Sequence, residues 1–313
     1  MIYTITLNPA IDVTIETNGF SINETNYYTN SYSFIGGKGI NVAFILNQLE
    51  AEVYATGFLG KDNSDFFVNK FKEFNINNNF IIIDGLTRTN FKIKNLSRKE
   101  ETELNGLGFI VNKNNINEII LQLSNKLLKG DILIAAGSLP RNTDTSIYQR
   151  IGDLCLQKEV VFILDTSHIQ MIKALKAKPY LIKPNIQEIC EILGKKFENR
   201  EYSLNEVKLL VEDLKKLGAR NILLSMGAKG SIFFTEDNKI YKTGIAKGDL
   251  INSVGSGDSM VAGFAYGLYK GMSIKERLMY ASACGGATAF SEWLAYKKDI
   301  IKYLNTIEIK EAE

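Results

Sequence analysis

The sequence holds a single histidine, His168, in 313 residues. A catalytic or metal centre built from several imidazoles is therefore excluded. His168 itself follows a predicted strand end and reads as a surface loop residue. There are only three cysteines, Cys155, Cys190 and Cys284, without metal-ligand spacing. An odd, unpatterned set is no disulfide framework, and it points to a reducing cytoplasm. The formal net charge is only +2, so nothing electrostatic favours nucleic acid or an anionic membrane as a partner. No apolar run is long enough to span a bilayer. The opening Met1-Ile2-Tyr3-Thr4-Ile5-Thr6-Leu7 reads as a strand and lacks the basic n-region of a secretory signal. Repeats, linkers and low-complexity tracts are missing too, which leaves one domain over 1–313, with at most a small appendage.

What is present fits a large soluble α/β domain. Hydrophobic residues make up 45% and charged residues 23%, ordinary proportions for a globular chain with a sizeable core. Predicted strands at 2–7, 53–58 and 80–83 precede a regular alternation of helix and strand. Helix 115–129 leads to strand 132–136, helix 145–158 to 160–164, helix 169–177 to 180–183, and helix 204–217 to 221–225. The strands are nearly continuous apolar runs, as in a parallel sheet covered on both faces. Each closes on Gly, Ser, Asp, Asn or Pro, so polar groups gather at the sheet edge where open α/β folds bind ligands. Two segments break the pattern, one at about 14–34 and one that alternates along 87–94 and returns at 101–108. Their polar, alternating sequences predict a small β flap. The tail, 300–309, reads as polar.

The stretch from Asn252 to Tyr269 organises the rest. Gly255-Ser256-Gly257-Asp258 opens a helix rich in small residues. Such a turn aims free backbone N–H groups at one point, with the helix dipole behind them. Asp258 would be repelled by an anion there, so it is either a helix N-cap or a base that removes a proton from an attacking hydroxyl. A second glycine pair, Ile35-Gly36-Gly37-Lys38-Gly39-Ile40-Asn41, also precedes a helix. Lys38 offers a cation there and Asn41 a bifunctional amide, while the spacing of a P-loop is absent. Asp12, after Pro9, is expected just beyond the first strand, where it accepts hydrogen bonds from a polyol or caps a turn. Along 87–94 strict alternation puts Arg88, Asn90, Lys92 and Lys94 on one face. That face is either a lysine-protected edge or a phosphate-binding wall.

Taken together, T-L-N-P-A-I-D, G-G-K-G-I-N-V-A, A-G-S-L-P, K-P-N-I-Q-E, S-M-G-A-K-G and S-V-G-S-G-D-S-M-V-A-G-F resemble the ribokinase-like, PfkB-type carbohydrate kinases over nearly the whole chain. The resemblance implies an α/β, ribokinase-like three-layer sandwich with a mostly parallel central sheet and a small β-sheet lid at about 11–34 and 86–106. It implies ATP and Mg²⁺, with phosphorylation of D-fructose 1-phosphate at its 6-hydroxyl. Tagatose 6-phosphate is the rival substrate, and a non-catalytic sugar- or nucleotide-binding homologue the rival class. Asp258 matches the general base, and the N–H groups of Gly255, Ser256 and Gly257 match the anion hole. Asp12, Gly37 and Asn41 match sugar contacts; Lys38, Arg88, Asn90 and Lys92 are assigned to the substrate, the three cations to its phosphate. Lys183, Asn185, Ser225, Gly227 and Gly230 match the nucleotide side, with Glu188 linked indirectly to the metal. A homodimer through the lid is a further expectation. The chain departs from the family pattern in three places. Tyr27 follows Asn26 where many relatives carry Arg, Ile35 replaces a small residue, and 291–297 lacks a G-T-G-type loop.

Overall fold

The computed structural model describes residues 1–312, apart from the side chain of His168; His168 opens a helix (His168–Ala174) and is not in a loop, while its exposure lies outside the described residues. Among them, ten strands make the main sheet. Their spatial order is β14 (Ile309–Ala312), β13 (Ile240–Thr243), β12 (Ser231–Phe234), β11 (Asn221–Ser225), β10 (Leu181–Ile182), β9 (Val161–Asp165), β8 (Ile132–Ala136), β1 (Ile2–Thr6), β4 (Val53–Gly60) and β5 (Asn77–Ile83). Pairing is parallel from β5 to β11 and antiparallel from β11 to β14.

Successive residues of a strand face opposite sides, and β8 shows the result. Ile132 and Ile134 enter one core, Leu133 and Ala135 the other. The first core is covered by α1 (Lys38–Gln48), α2 (Ser64–Glu73), α8 (Ser256–Tyr269), α9 (Ile274–Ala289) and α10 (Lys297–Leu304). The second is covered by α3 (Lys113–Lys126), α4 (Ile147–Gln157), α5 (His168–Ala174), α6 (Ile186–Ile192) and α7 (Leu204–Leu217). This is a three-layer α/β sandwich.

A second sheet runs β3 (Asn30–Gly36), β2 (Ala10–Thr17), β6 (Arg88–Asn95), β7 (Glu100–Asn105). It draws on the two polar segments, with bounds slightly wider than 11–34 at the first. Pro9 interrupts pairing only briefly, because β2 begins at Ala10. Asp12 therefore sits within β2, not in a turn after β1. Two other elements were not expected. The tail forms α10, anchored by the buried Ile300, and β14, which extends the main sheet beside β13. Pro184 limits β10 to two residues, since it cannot donate to the ladder, and α6 follows at once.

The close approach of β1 and β4 depends on Gly57. Its φ is +141°, and a Cβ there would stand 1.9 Å from the Thr6 carbonyl oxygen. Gly57→Ala combines a left-handed backbone with overpacking, so we expect it to lower stability by at least about 2 kcal/mol. Urea unfolding measures this directly. An unchanged midpoint would mean that β1 and β4 separate at no cost.

Candidate active site

The site begins where α8 begins. Gly255 holds the N-cap position with φ +80°, a left-handed conformation that glycine adopts without steric penalty. Helices α8 and α9 pack almost backbone to backbone. A Cβ on Gly263 would meet the Tyr280 carbonyl oxygen at 2.4 Å, and one on Gly267 would meet the Arg277 Cα at 2.9 Å. In the first turn of α8 Asp258 and Ser259 are buried, whereas Ser256 and Gly257 are half-buried. Asp258 is not the cap residue. Its carboxylate accepts a hydrogen bond from Asn41 Nδ2 at 2.8 Å, across 217 residues of sequence. The Ser256 N–H donates to the Ser253 carbonyl at 3.2 Å, so one of the three donors assigned to the anion hole is already engaged. The N–H groups of Gly257 and Asp258 lie in the first turn, where no carbonyl of their own helix can reach them. Lys183 adds a cation at this point: a Cβ on Gly257 would stand 2.9 Å from its Nζ. A helix N-terminus backed by an ammonium group is an anion site.

Asp165, at the end of β9, is the functional residue that sequence reasoning missed. Its side chain is only 3% exposed, and its Oδ2 lies 3.3 Å from Lys38 Nζ and 3.8 Å from Lys183 Nζ. The rule that picked Asp12, a carboxylate at the polar end of an apolar strand, could have found it. Burial alone would raise the Asp165 carboxyl, but the ammonium groups of Lys183 and Lys38 outweigh it and hold it below the usual range. Asp165 in turn raises the Lys38 ammonium, against burial. Burial pushes the Asp258 carboxyl above the usual range; Lys38 opposes that push and Asp165 adds to it.

Asn41, the hydrogen-bond partner of Asp258, lines a pocket of about 220 Å³ together with Asp12, Phe34, Asn90, Lys92 and Trp293 among others. Asn90 Nδ2 donates to Asp12 Oδ1 at 2.8 Å. The side-chain oxygens of Asn41 and Asn90 are buried without a partner. Gly36 makes room for Asp12, since a Cβ there would sit 1.9 Å from Asp12 Oδ2. Gly37, at φ +116°, does the same beside Thr6. The pocket thus presents acceptors that lack donors, and buried acceptors are costly to leave unpaired. A polyol supplies the missing O–H groups.

The structure separates the three cations grouped by the sequence. Lys38 belongs to the Asp165 cluster. Lys92 lines the pocket, but it is paired with Glu101 at 3.3 Å and Glu103 at 3.8 Å, and it donates to Asn252 Oδ1 at 3.3 Å. The glutamates of β7 answer the cationic face of β6. Arg88 lies outside the pocket lining. Its guanidinium donates to the carbonyls of Asn8, Pro9 and Gly106 at 3.2–3.3 Å, and among the described residues it has no carboxylate within ion-pair distance.

Gly257, the residue before Asp258, lines a second cavity, a cleft of about 1050 Å³, together with Asn185, Ser225, Gly227, Gly230 and Ser256 among others. Gly230, at φ +85°, admits no Cβ because the Thr243 carbonyl oxygen would be 2.1 Å away. Asn185 and Glu188 cap one another at the start of α6. Glu188 N donates to Asn185 Oδ1 and Asn185 N to Glu188 Oε2, both at 2.8 Å. The N-x-x-E motif is thus first a capping box. Among the described residues no group of three or more His, Cys, Asp or Glu gathers for a metal. The second carboxylate oxygen of Glu188 leaves one hard donor, which fits a Mg²⁺ ion held mainly by phosphate oxygens and water.

Known proteins resemble the chain over nearly its whole length. The description "pfkB family carbohydrate kinase" matches residues 5–296. The chain is 34% identical over 309 residues to a 1-phosphofructokinase of Bacillus subtilis, covering 99% of each. It is 30% identical over 316 residues to a tagatose-6-phosphate kinase of Staphylococcus epidermidis, covering 99% of this chain and 100% of the relative. A solved Staphylococcus aureus structure, 34% identical, superposes with a TM-score of 0.85 over 100% of this chain and 99% of its own.

Burial sets the expected titration of Asp258. In ¹³C-carboxyl NMR it should lose its proton above the ordinary aspartate value of about 4. Lys38→Met removes a cation that favours the charged form, so it should move the midpoint higher still. A midpoint at or below the ordinary value, or one that ignores Lys38, would dismiss the cluster as the controlling influence.

Proposed function

The chain belongs to the pfkB family of carbohydrate kinases, and from that premise we propose that it transfers the terminal phosphoryl group of ATP to the 6-hydroxyl of D-fructose 1-phosphate, giving fructose 1,6-bisphosphate and ADP. One observation carries the chemistry. The turn before and at the start of α8 walls both cavities: Asn252 and Val254 line the acceptor-rich pocket, while Ser253, Ser256 and Gly257 line the large cleft. A buried carboxylate, Asp258, links them: it follows Gly257 of the cleft and is hydrogen-bonded to Asn41 of the pocket. A sugar hydroxyl on one side and a nucleotide on the other meet there.

In this reading the 6-hydroxyl oxygen forms a bond to the terminal phosphorus while the bond to the bridging oxygen of ADP breaks. The hydroxyl proton passes to Asp258, whose position Asn41 holds. An alcohol is far too weak an acid to ionise beforehand, so the proton leaves late in a loose transition state. Lys183 and the free N–H groups of the α8 turn meet the negative charge on the transferring group. Asp12, Asn41 and Asn90 accept hydrogen bonds from the sugar's hydroxyl groups. Glu188 would hold Mg²⁺ through its second oxygen; when bound, the metal neutralises charge on the phosphates.

Arg88 is the residue we assign to the substrate's own phosphate. Lys38 and Lys92 have carboxylate partners, whereas Arg88 is half-buried and held only by neutral carbonyls. Burial lowers its affinity for the proton, with Asp12 opposing, and a phosphate dianion would supply the missing countercharge. Fructose 1-phosphate carries that phosphate at the end opposite its reacting hydroxyl, which keeps the two phosphates apart. The full-length relative named 1-phosphofructokinase also supports this sugar.

We further propose one domain over 1–313 in which the second sheet, about 11–34 and 86–106, acts as a lid. Its outward face is apolar. Val13, Phe91 and Leu104 are register neighbours across three strands, and Leu104 is 65% exposed. A second copy of the chain pairing through this face would cover it. The three cysteines are buried and unbonded, in keeping with a reducing cytoplasm.

A coupled ADP assay across phosphorylated hexoses tests the activity, with fructose 1-phosphate the preferred acceptor. Preference for tagatose 6-phosphate would reassign the sugar. Asp258→Asn should cut kcat by two or more orders of magnitude, as for loss of a general base, with both KM values within a few-fold. Arg88→Ala should raise KM for the sugar phosphate by roughly 2–3 kcal/mol, the worth of a charge-assisted contact, and leave KM for ATP nearly unchanged. A shift in ATP instead would place Arg88 on the nucleotide.

Sedimentation velocity should show a dimer that Leu104→Asp dissociates. A wild-type monomer at micromolar concentration would remove the pairing.

A further inference from the structure

The segment 291–297, where the chain departs from the family pattern, contains its only tryptophan, Trp293. The indole stacks on Phe34 with ring centroids 5.0 Å apart and planes at 12°. It also leans on Phe44 of α1 at 4.5 Å and on Phe74, the residue after α2, at 5.6 Å. Phe44 and Phe74 belong to the main body, whereas Phe34 belongs to the second sheet. Trp293 therefore joins the two parts through aromatic packing.

The position of Phe34 gives this contact its importance. Phe34 on β3 is the direct register partner of Asp12 on β2, and such opposed residues share one side of a sheet. Both line the acceptor-rich pocket, as does Trp293. A second bridge ends on the same segment. Lys92 of β6 donates to Asn252 Oδ1 at 3.3 Å, and Asn252 Nδ2 donates at 2.9 Å to the carbonyl of Glu292, the residue before Trp293. Two strands of the small sheet are thus tied to 292–293. The large cleft has no Trp293 in its lining.

We propose that Trp293 is a positioning residue: it docks the small sheet on the body through Phe34 and so sets where Asp12 stands against the sugar. The inference rests on the proposed function for the identity of that sugar. It assigns to this chain's own 291–297 sequence a role in sugar affinity and none in ATP affinity.

The experiment uses the full chain and D-fructose 1-phosphate. Added without ATP, the sugar phosphate should shift the tryptophan emission of the wild type saturably, and Phe34→Ala should abolish the shift. Trp293→Ala and Phe34→Ala should each raise KM for the sugar about tenfold, as for a misplaced binding group, with KM for ATP within about twofold. The double variant should be no worse than the worse single one, because the two residues act through one contact. Trp293→Phe, which keeps an aromatic face, should restore most of the loss and guards against a folding defect in the alanine variant. A wild type that turns over fructose 1-phosphate without any emission change overturns the inference alone. So does additivity of the two alanine variants, or an equal rise in KM for ATP. A wild type that turns over no sugar phosphate overturns the proposed function and this inference with it.

Discussion

Two buried carboxylates, Asp165 and Asp258, lie at the carboxyl ends of β9 and β10 with two ammonium groups, the buried Lys183 and the partly exposed Lys38. An isolated ion in that setting would give up or take up a proton rather than stay charged. Asp165 is secured because it faces both lysines. Asp258 is the least supported member, helped by Lys38 and by the Asn41 amide but opposed by Asp165. The set is formally neutral, so an anion at the helix terminus and Lys183 would displace no net countercharge. The fold makes this possible by letting small residues bring α8 and α9 together, which fixes the turn that carries Asp258.

The main sheet was legible because most of its elements carry their own local signals. Helix α7 is bounded by Ser203 and Glu206 at one end and Gly218 at the other, and it falls where the sequence places it. Helix α6 has the same kind of start in Asn185 and Glu188, yet those residues were read as ligands. One residue pattern serves a cap and a phosphate-side site alike, and only the hydrogen bonds tell them apart. β14 had no signal of its own, since its four residues are a strand only because β13 leaves an edge to pair with.

Within the site, glycine motifs and strand ends were readable, whereas side-chain partners were not. Lys38 is tied to a carboxylate 127 residues away, a distance at which period and spacing carry no information. Alternation placed Arg88 and Lys92 on one face of β6, but it does not say where the head of a long side chain goes. Arg88 turns to main-chain carbonyls and Lys92 to the glutamates of the next strand. The small sheet is amphipathic in consequence, polar toward the pocket and apolar away from it, so its two faces answer to different partners.

The strand order has a bearing on how the chain folds. From β8 outward to β13 each new strand pairs with the one before it, so that flank of the sheet can grow in step with synthesis. The cluster around Asp258 cannot. It needs α1, β9, β10 and the start of α8 together, and the Asn41–Asp258 bond closes a loop of more than two-thirds of the chain. Contacts of such long range carry the greatest loop-closure entropy and form late. Burial of Asp258 beside Asn41 therefore waits for the docking of α8, and the cost of removing that carboxylate from water falls on the same step that completes the site.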